Sequence, residues 1–165
     1  MSRGFFITFE GIDGCGKSTQ ALRLERRLQE EGNAPLLLRE PGGTPISEDI
    51  RKVLLTTDNL SMAPENEALL LAASRSQLLK EVIIPHLKKE TIVLCDRYID
   101  STLAYQGFGR DLSQEWLRQI NRLAFELAIP DKTFLFDLPV DVALSRLGNR
   151  QRDRIESVSY THLRA

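Results

Sequence analysis

The residues best placed to do chemistry form a glycine-rich segment near the start of the chain. Gly11 and Gly16 are separated by four residues and followed by Lys17 and Ser18, which is the pattern of a phosphate-binding loop. In such a loop the backbone N–H groups surround an anion, the lysine binds the β- and γ-phosphates, and the serine hydroxyl binds magnesium. The spacing therefore predicts a nucleoside triphosphate site. A glycine-rich turn that binds nothing is the alternative.

The segments around this loop alternate between strand and helix patterns. Apolar, β-prone runs at 5–9, 36–38, 91–95 and 133–136 predict four strands. Between them, helical patterns are found at 19–31, after an N-cap at Thr44, from Pro64 until Pro85 bends or ends the helix, and around a core face of Trp116, Ile120, Leu123 and Leu127. Strands that alternate with helices imply an α/β fold, in which a mostly parallel sheet carries helices on both faces.

Charged residues follow the predicted strands. Arg39-Glu40, Asp96-Arg97 and Asp137 come at or directly after three strand ends, and the phosphate loop follows the first strand. Because ligands of such folds bind beyond the carboxyl ends of the strands, we expect one shared active site. Asp96 would then orient the magnesium shell and Arg97 would bridge the transferring phosphates, unless the two form only a structural ion pair.

Three other features allow two interpretations each. Arg75 lies in an otherwise apolar helix and either extends to solvent or reaches into a ligand pocket. Tyr105 and Gln106 precede a glycine and either cap a helix or contact a sugar and a base. The arginines at 146, 150, 152 and 154 form either a solvated surface or a mobile basic loop that closes over phosphates and excludes water.

Composition limits the function classes. A chain of 165 residues suits one domain, and 42% hydrophobic residues suffice for a core. A net charge of −1 gives no indication of a nucleic-acid surface. No apolar run approaches membrane-spanning length, and the first residues lack the layout of a signal peptide. Cys15 and Cys95 are far apart, which favours reduced thiols and hence a cytoplasmic protein.

Five motifs, taken together and in order, resemble the thymidylate kinase family. They are Gly11 to Thr19, Arg39 to Thr44, Asp96 to Tyr98, Ala104 to Gly107 and Asp153 to Glu156. The likeness covers essentially residues 4–156, and the block from Arg39 to Thr44 is far more specific than a phosphate loop alone. The resemblance implies a P-loop nucleoside monophosphate kinase fold and transfer of the γ-phosphoryl group of ATP to dTMP, giving dTDP for dTTP synthesis, with magnesium. It also implies a homodimer.

The resemblance assigns roles residue by residue. ATP is expected at the loop residues Gly11, Ile12, Asp13, Gly14, Cys15, Gly16, Lys17, Ser18 and Thr19. Substrate binding is expected at Glu40, Arg51, Leu71, Arg75, Arg97, Thr102, Tyr105 and Gln106. Magnesium is expected at Ser18 and Asp96. Catalytic roles are expected for Lys17, Arg97, Asp13, Arg146 and Arg150.

The resemblance also implies particular contacts for some of these residues. Asp13 is expected to meet the 3′-hydroxyl of the acceptor sugar, while Glu40, Arg51 and Arg97 hold the acceptor phosphate and its metal environment. Arg75 and Gln106 are expected to contact thymine, and the Tyr105 ring to crowd the ribose 2′ position, which favours deoxyribose. Gly14 stands where one branch of the family has a loop arginine. The resemblance therefore assigns the transition-state cation to the arginine cluster 146–154, with Arg146 or Arg150 preferred.

Two features depart from the family pattern. Leu71 stands where many relatives place a phenylalanine that stacks on thymine, so we expect weaker dTMP binding or help from Phe108. After Glu156 relatives continue with a helix, a fifth strand and a final helix, whereas residues 157–165 match nothing expected there. We therefore expect an incomplete kinase domain at 1–156, with its lid at about 146–156 and its last strand and helices missing, and a non-family tail at 157–165.

Other functions remain open at this stage. A related kinase that acts on another deoxynucleotide or on a nucleoside would use the same phosphate loop. A nucleotide-dependent switch would need a guanine-binding Asn-Lys-x-Asp stretch, which the sequence lacks. A catalytically inactive fragment that only binds nucleotide is the third possibility.

Overall fold

The computed structural model describes residues 3–148 and 153–155. Its sheet consists of parallel strands in the spatial order β2-β3-β1-β4, with the bounds β1 (Phe6–Gly11), β2 (Leu36–Arg39), β3 (Val93–Asp96) and β4 (Lys132–Phe136). The α-helices are α1 (Lys17–Glu30), α2 (Pro45–Leu55), α3 (Pro64–Leu78), α4 (Ile84–Lys88), α5 (Ile99–Thr102), α6 (Gln114–Ile120), α7 (Arg122–Leu127) and α8 (Val140–Leu147). A short 3-10 helix (Thr57–Asn59) follows α2, and π-helical turns (Leu79–Ile83 and Leu103–Phe108) follow α3 and α5.

Helices cover both faces of the sheet because side chains of a strand alternate between its two faces. Phe6 of β1 packs with Val93 and with the helices α3 and α4 in one core cluster. Its neighbour Ile7 packs with Ala21 of α1 in a second cluster. The α/β fold with a parallel sheet between two helical layers, predicted from the sequence, is confirmed.

The register of the strands brings the charged strand ends to one edge. Phe9 of β1 and Arg39 of β2 are both paired with Asp96 of β3, and Gly11 is paired with Phe136. The phosphate loop, Arg39 and Asp96 therefore start from neighbouring points at the carboxyl edge of the sheet. At the same edge Thr44 caps α2, as predicted, since its hydroxyl accepts a hydrogen bond from the Ser47 N–H at 3.1 Å.

The helix from Pro64 continues further than predicted. It passes through the π-helical turn Leu79–Ile83 into α4, so Pro85 does not end it. Pro85 occupies the first turn of α4, where a missing N–H group is tolerated. Of the two alternatives predicted for Pro85, the end of the helix was therefore wrong, and the bend stays a prediction.

The helix predicted around Trp116 is two helices with a break at Asn121. Asn121 leaves helical geometry at φ −102°, ψ 15°, and its side chain accepts a hydrogen bond from Arg75 at 2.6 Å. The core face is also different, because Leu117 and Ala124 are buried whereas Leu127 is half exposed. The single helix was wrong because helical spacing does not show the long-range bond between Asn121 and Arg75. Of the predicted core face, Trp116, Ile120 and Leu123 are partly buried and Leu127 is exposed.

The structure tests the prediction about membrane-spanning helices, whereas several other predictions concern residues that it does not describe. Within residues 3–148 and 153–155, no helix is both long and apolar enough to cross a membrane. The predictions for Arg150 and Arg152, for Glu156 and for the tail at 157–165 fall outside the described residues. The domain limits, including the missing last strand and helices, therefore stay predictions.

Candidate active site

The phosphate loop follows β1 and ends where α1 begins. Gly14 has φ +81°, and a Cβ atom there would lie 2.5 Å from the Ala143 carbonyl oxygen, because α8 packs against the loop. A side chain at position 14 would need both a strained backbone and a displaced α8. The geometry thus leaves no room for a loop arginine in this chain.

Lys17 lies at the start of α1 with only 5% of its surface exposed. Its ammonium group donates to the Ile12 carbonyl at 3.3 Å and to Asp13 Oδ1 at 3.4 Å, so the side chain lies along the loop. Both bonds are long, and both partners belong to the loop itself. The ammonium group therefore lies over the loop and forms no short, strong ion pair with Asp13.

Asp13 and Arg97 join the loop to the end of β3. The Arg97 guanidinium donates to Asp13 Oδ1 at 2.7 Å and to the Ser101 hydroxyl at 3.0 Å, and it lies 5.1 Å from the centre of the Tyr105 ring. Burial would raise the pKa of Asp13, but the charges of Arg97 and Lys17 outweigh it and lower the pKa below its usual value. Asp13 is therefore ionised near neutral pH and fixes the direction of Arg97.

Arg97 itself has a backbone φ of +69°, in the left-handed region that non-glycine residues rarely adopt. It directly follows β3, at the point where the chain turns toward α5. The surrounding contacts to Asp13, Ser101 and Tyr105 hold this conformation. Strained residues of this kind concentrate at functional sites, which agrees with the role predicted for Arg97.

Arg75 is buried, so the interpretation that it extends to solvent was wrong. Its guanidinium donates to Glu40 at 2.7 Å, to Asn121 at 2.6 Å and to Thr102 at 3.0 Å. Burial would lower the pKa of Arg75, but the Glu40 carboxylate reverses that effect and raises it. Glu40 thus pairs with Arg75 through Oε2, while its buried Oε1 atom has no hydrogen-bond partner within the described ranges. The role predicted for Glu40 beside the acceptor phosphate stays a prediction.

A cavity of about 530 Å³ opens at the carboxyl edge of the sheet. All the residues predicted to bind substrate border it: Glu40, Arg51, Leu71, Arg75, Arg97, Thr102, Tyr105 and Gln106. The same cavity is bordered by predicted loop, metal and lid residues: Asp13, Gly14, Gly16, Lys17, Ser18, Thr19, Asp96 and Arg146. The phosphate loop and the Arg75–Gln106 end therefore share one cavity, as the sequence predicted.

Some predicted residues lie elsewhere. Gly11, Ile12 and Cys15 do not border the cavity, although they belong to the loop that shapes it. Asp137 follows β4 but is exposed and does not border the cavity, so its expected place in the shared site was wrong. Phe108 is 84% exposed and lies outside the cavity, so it cannot take the place of an aromatic ring at Leu71. That expectation was wrong, because the π-helical turn Leu103–Phe108 directs Gln106 inward and Phe108 outward.

The arginines of the predicted lid differ from one another. Arg146 is exposed, borders the cavity and donates to the Gly14 carbonyl at 3.5 Å. Arg154 is 1% exposed and donates to the Leu54 carbonyl at 2.7 Å. It also pairs with Glu67 at 2.8 Å. Including Arg154 in a basic loop over the phosphates was therefore wrong, because its charge is compensated inside the protein.

Arg51 borders the cavity on the side of α2. It donates to the Pro41 carbonyl at 2.7 Å. Burial, followed by repulsion from the neighbouring Arg39, lowers the pKa of Arg51 below its usual value. Two arginines that repel each other at a cavity wall are stabilised by an anion, which is the environment predicted for an acceptor phosphate.

Ser18 and Asp96 offer oxygen atoms suited to magnesium. The Ser18 hydroxyl donates to Asp96 Oδ2, while Asp96 Oδ1 is buried and has no hydrogen-bond partner within the described ranges. Those ranges contain no cluster of three or more His, Cys, Asp or Glu side chains that could hold a metal. Magnesium at phosphate sites usually takes one or two protein ligands and completes its shell with phosphates and water, so the pair fits this ion.

Two buried carboxylates were not found from the sequence. Glu10 of β1 accepts from the Tyr98 N–H at 2.8 Å and from the Ser101 hydroxyl, which holds the start of α5 beside Arg97. Glu67 of α3 is 1% exposed and contacts Gln106, Arg110 and Arg154. The one signal that could have identified Glu10 or Glu67 was a charged residue inside an apolar strand or helix pattern.

A parallel sheet with a phosphate loop after its first strand, and a cavity at the same edge that joins this loop to further charged side chains, defines a P-loop nucleoside monophosphate kinase. The thymidylate kinase family model matches residues 9–165. The chain belongs to the thymidylate kinase family, and the resemblance and kinase function predicted from the sequence are confirmed.

Individual relatives agree with this assignment. The chain is 50% identical over 157 residues to a thymidylate kinase of Geobacter sulfurreducens, which covers 93% of this chain and 74% of that protein. It is 53% identical over 154 residues to a thymidylate kinase of Desulforudis audaxviator, covering 93% and 70%. The crystal structure of thymidylate kinase from Ehrlichia chaffeensis superposes with a TM-score of 0.76 at 36% identity, covering 96% of this chain and 83% of that one.

Proposed function

We propose that this chain phosphorylates dTMP to dTDP with ATP as the donor and magnesium as the cofactor. The observation that carries the proposal is the single cavity bordered by Lys17 at one end and by Arg75 and Gln106 at the other. A phosphoryl group passes directly between two nucleotides only when both reach the same space. Family membership supports the choice of dTMP as the acceptor.

The loop end of the cavity is proposed to bind the ATP phosphates. Backbone N–H groups from Gly14 to Ser18 lie at the N-terminus of α1, where the helix dipole favours an anion. Lys17, held along the loop, adds a full positive charge. Ser18 and Asp96 would hold magnesium, which when bound supplies charge neutralisation between the outer phosphates.

Arg97 is proposed to align the acceptor phosphate. Asp13 uses Oδ1 for its bonds to both Arg97 and Lys17, so its Oδ2 atom is available to a sugar hydroxyl. The phosphate monoester dianion is itself a competent nucleophile near neutral pH, so no general base is required. Arg146, exposed above Gly14, is proposed to cover the charge that develops in the transition state, alone or with Arg150.

The far end of the cavity is proposed to bind thymine. Arg75 Nη1 carries two N–H groups and donates to Asn121, which leaves the other for a base oxygen. The Gln106 Nε2 atom donates to Glu67 at 2.7 Å, so its carbonyl oxygen is the atom available to the thymine N3–H group. Leu71 supplies an apolar surface, and Thr102 holds Arg75 in place.

The proposed assembly is a homodimer. Ile46 and Val53 of α2 and Leu69 of α3 are half exposed, and these apolar side chains support the homodimer expected from the resemblance. Light scattering of the purified protein would test this assembly, and a monomer at micromolar concentration would contradict it. We propose that the protein works in the cytoplasm.

A substrate panel tests the proposed reaction. Production of ADP is measured with ATP, magnesium and each of dTMP, dUMP, dAMP and dGMP in turn. Turnover with dTMP well above that with the other three supports the proposal. Preference for another acceptor would indicate a related kinase, and ATP binding without transfer would indicate an inactive nucleotide-binding fragment.

Replacing Leu71 with phenylalanine is expected to tighten dTMP binding about tenfold, because an aromatic ring stacks on a base with about 1–3 kcal/mol. Leu71 is 8% exposed and borders the cavity, so the larger ring would extend toward the base. Isothermal titration with dTMP measures the change. Leu22→Phe, on an exposed leucine of α1, is the matched control and should leave the affinity unchanged. Little or no gain at position 71 would contradict the placement of thymine there.

Replacing Tyr105 with alanine is expected to weaken discrimination against ribose. The Tyr105 ring borders the cavity beside Arg97, where the proposal places the 2′ position. Removing the ring relieves a steric clash worth about 1–3 kcal/mol, so the kcat/KM ratio of dTMP to its ribonucleotide counterpart should fall about tenfold. Tyr105→Phe keeps the ring and should keep the ratio. An unchanged ratio in the alanine variant would place the sugar elsewhere.

A further inference from the structure

Gln106 borders the proposed base site, but nothing in its own side chain decides which end of its amide faces the base. An amide carries a carbonyl oxygen that accepts and an NH₂ group that donates, and the two ends have almost the same shape. A base with an N3–H donor needs the oxygen, whereas a base with an acceptor at N3 needs the NH₂ group. The orientation of this amide is therefore a determinant of base specificity.

The neighbour that faces the Gln106 amide is Glu67. Its Oε1 atom accepts from Gln106 Nε2 at 2.7 Å, and both side chains are buried, at 1% and 2% exposure. An ionised carboxylate has only acceptor atoms, so it can bond the NH₂ end of the amide and not the carbonyl end. With the NH₂ group committed to Glu67, the Gln106 oxygen is the end left for the cavity.

Glu67 keeps its charge because two arginines compensate it. Arg110 donates to Glu67 at 3.0 Å and 3.2 Å, and Arg154 lies 2.8 Å from Oε2. Burial would raise the pKa of Glu67, but the bonds from Arg110 and Gln106 and the two arginine charges lower it below its usual value. The carboxylate is therefore an obligate acceptor at neutral pH.

Glu67 also connects to the cavity through a second route. Arg154 is anchored to Glu67 and to the Leu54 carbonyl, while its neighbours Asp153 and Ile155 border the cavity. Glu67 itself does not border the cavity. Its influence on the ligand therefore passes through Gln106 and Arg154, and not through direct contact.

We propose that Glu67 is a positioning residue that sets base specificity by fixing the Gln106 amide with its oxygen toward the base. The inference rests on the proposed function, because it takes thymine as the base beside Gln106. Glu67→Gln should release the amide, since a glutamine at position 67 both donates and accepts and so bonds either end of Gln106. The flipped Gln106 would then present its NH₂ group to a base whose N3 is an acceptor.

The test compares kcat/KM for dTMP with kcat/KM for 5-methyl-dCMP, which has the same methyl group but an acceptor at N3. The wild-type protein should prefer dTMP strongly. In Glu67→Gln the preference should fall at least about tenfold, because one hydrogen bond is lost on one substrate and gained on the other. Arg110→Met is the matched control: it disturbs the same buried cluster but leaves the Glu67–Gln106 bond, so it should lower the melting temperature and keep the preference.

The possible outcomes separate the inference from the proposed function. A wild-type protein without dTMP turnover would contradict the proposed function. A selective wild type with an unchanged preference in Glu67→Gln, or an equal fall in Arg110→Met, would overturn the inference alone. If Glu67→Gln does not fold, Glu67→Asp replaces it. This variant keeps the charge opposite Arg110 and Arg154 but withdraws the carboxylate from Gln106, so an unchanged preference there would also overturn the inference.

Discussion

Lys17→Ala is expected to lower kcat with dTMP by about 10³-fold, because a buried cation proposed to bind the transferring phosphates is removed. The fold should persist, since within residues 3–148 and 153–155 the Lys17 ammonium makes only two long hydrogen bonds, at 3.3 Å and 3.4 Å, to its own loop. Steady-state kinetics measure the loss, and circular dichroism and thermal unfolding check the fold.

Lys52→Ala is the matched control for this change. The Lys52 side chain is 77% exposed and pairs with Asp49 on the same helix, so its loss should leave kcat unchanged. Near-normal turnover of the Lys17 variant, with the fold retained, would refute the role assigned to the loop lysine.

Arg97→Met is expected to lower kcat/KM for dTMP by about 10³-fold, because the group proposed to align the acceptor phosphate is lost. The change also removes the 2.7 Å ion pair with Asp13, so the pKa of Asp13 should rise toward its usual value. Binding of ATP alone should change less, since Arg97 contacts the loop only through the Asp13 side chain and otherwise lies beside Ser101 and Tyr105 within the described part of the chain. Kinetics with each substrate varied in turn measure both effects.

Arg97→Lys serves as the graded variant. Lysine keeps the positive charge but loses the planar set of donors that contacts Asp13 and Ser101 together, so its activity should lie between wild type and methionine. Equal loss of ATP binding and dTMP turnover in the methionine variant would indicate a general collapse of the site. It would contradict an acceptor-specific role.

The parts of the site that could be predicted from the sequence are those whose chemistry is contiguous in the chain. Gly11 to Ser18 contain the loop, its lysine and its hydroxyl within eight neighbouring positions. The strand ends at Arg39 and Asp96 were predictable for a related reason. Parallel strands bring their carboxyl ends to one edge, so a local pattern was enough to place distant residues together.

The partners of the buried charges could not be predicted in this way. Arg75 bonds Glu40 and Asn121 across 35 and 46 residues of sequence, and Glu67 bonds Gln106 across 39. Nothing in the local spacing specifies such pairs, because they depend on how the helices pack on the sheet. The same long-range bonds explain why the helix break at Asn121 was missed.

Arg154 is the clearest example of a residue whose role could not be predicted from the sequence. In sequence it belongs to a cluster of arginines that looks suited to a basic loop over phosphates. In the structure it lies inside the protein, and only its neighbours Asp153 and Ile155 border the cavity. A run of like charges does not reveal which members are compensated internally, since compensation depends on residues such as Glu67 that lie far away in the chain.

A crystal structure of the protein with dTMP and a non-hydrolysable ATP analogue tests the central claim most directly. Both nucleotides should occupy the one cavity, with the acceptor phosphate within hydrogen-bond distance of Arg97 and the donor phosphates within reach of Lys17. Thymine should lie against Leu71, between Arg75 and the Gln106 carbonyl oxygen. Finding the two nucleotides in separate clefts, or thymine away from Arg75 and Gln106, would contradict the account.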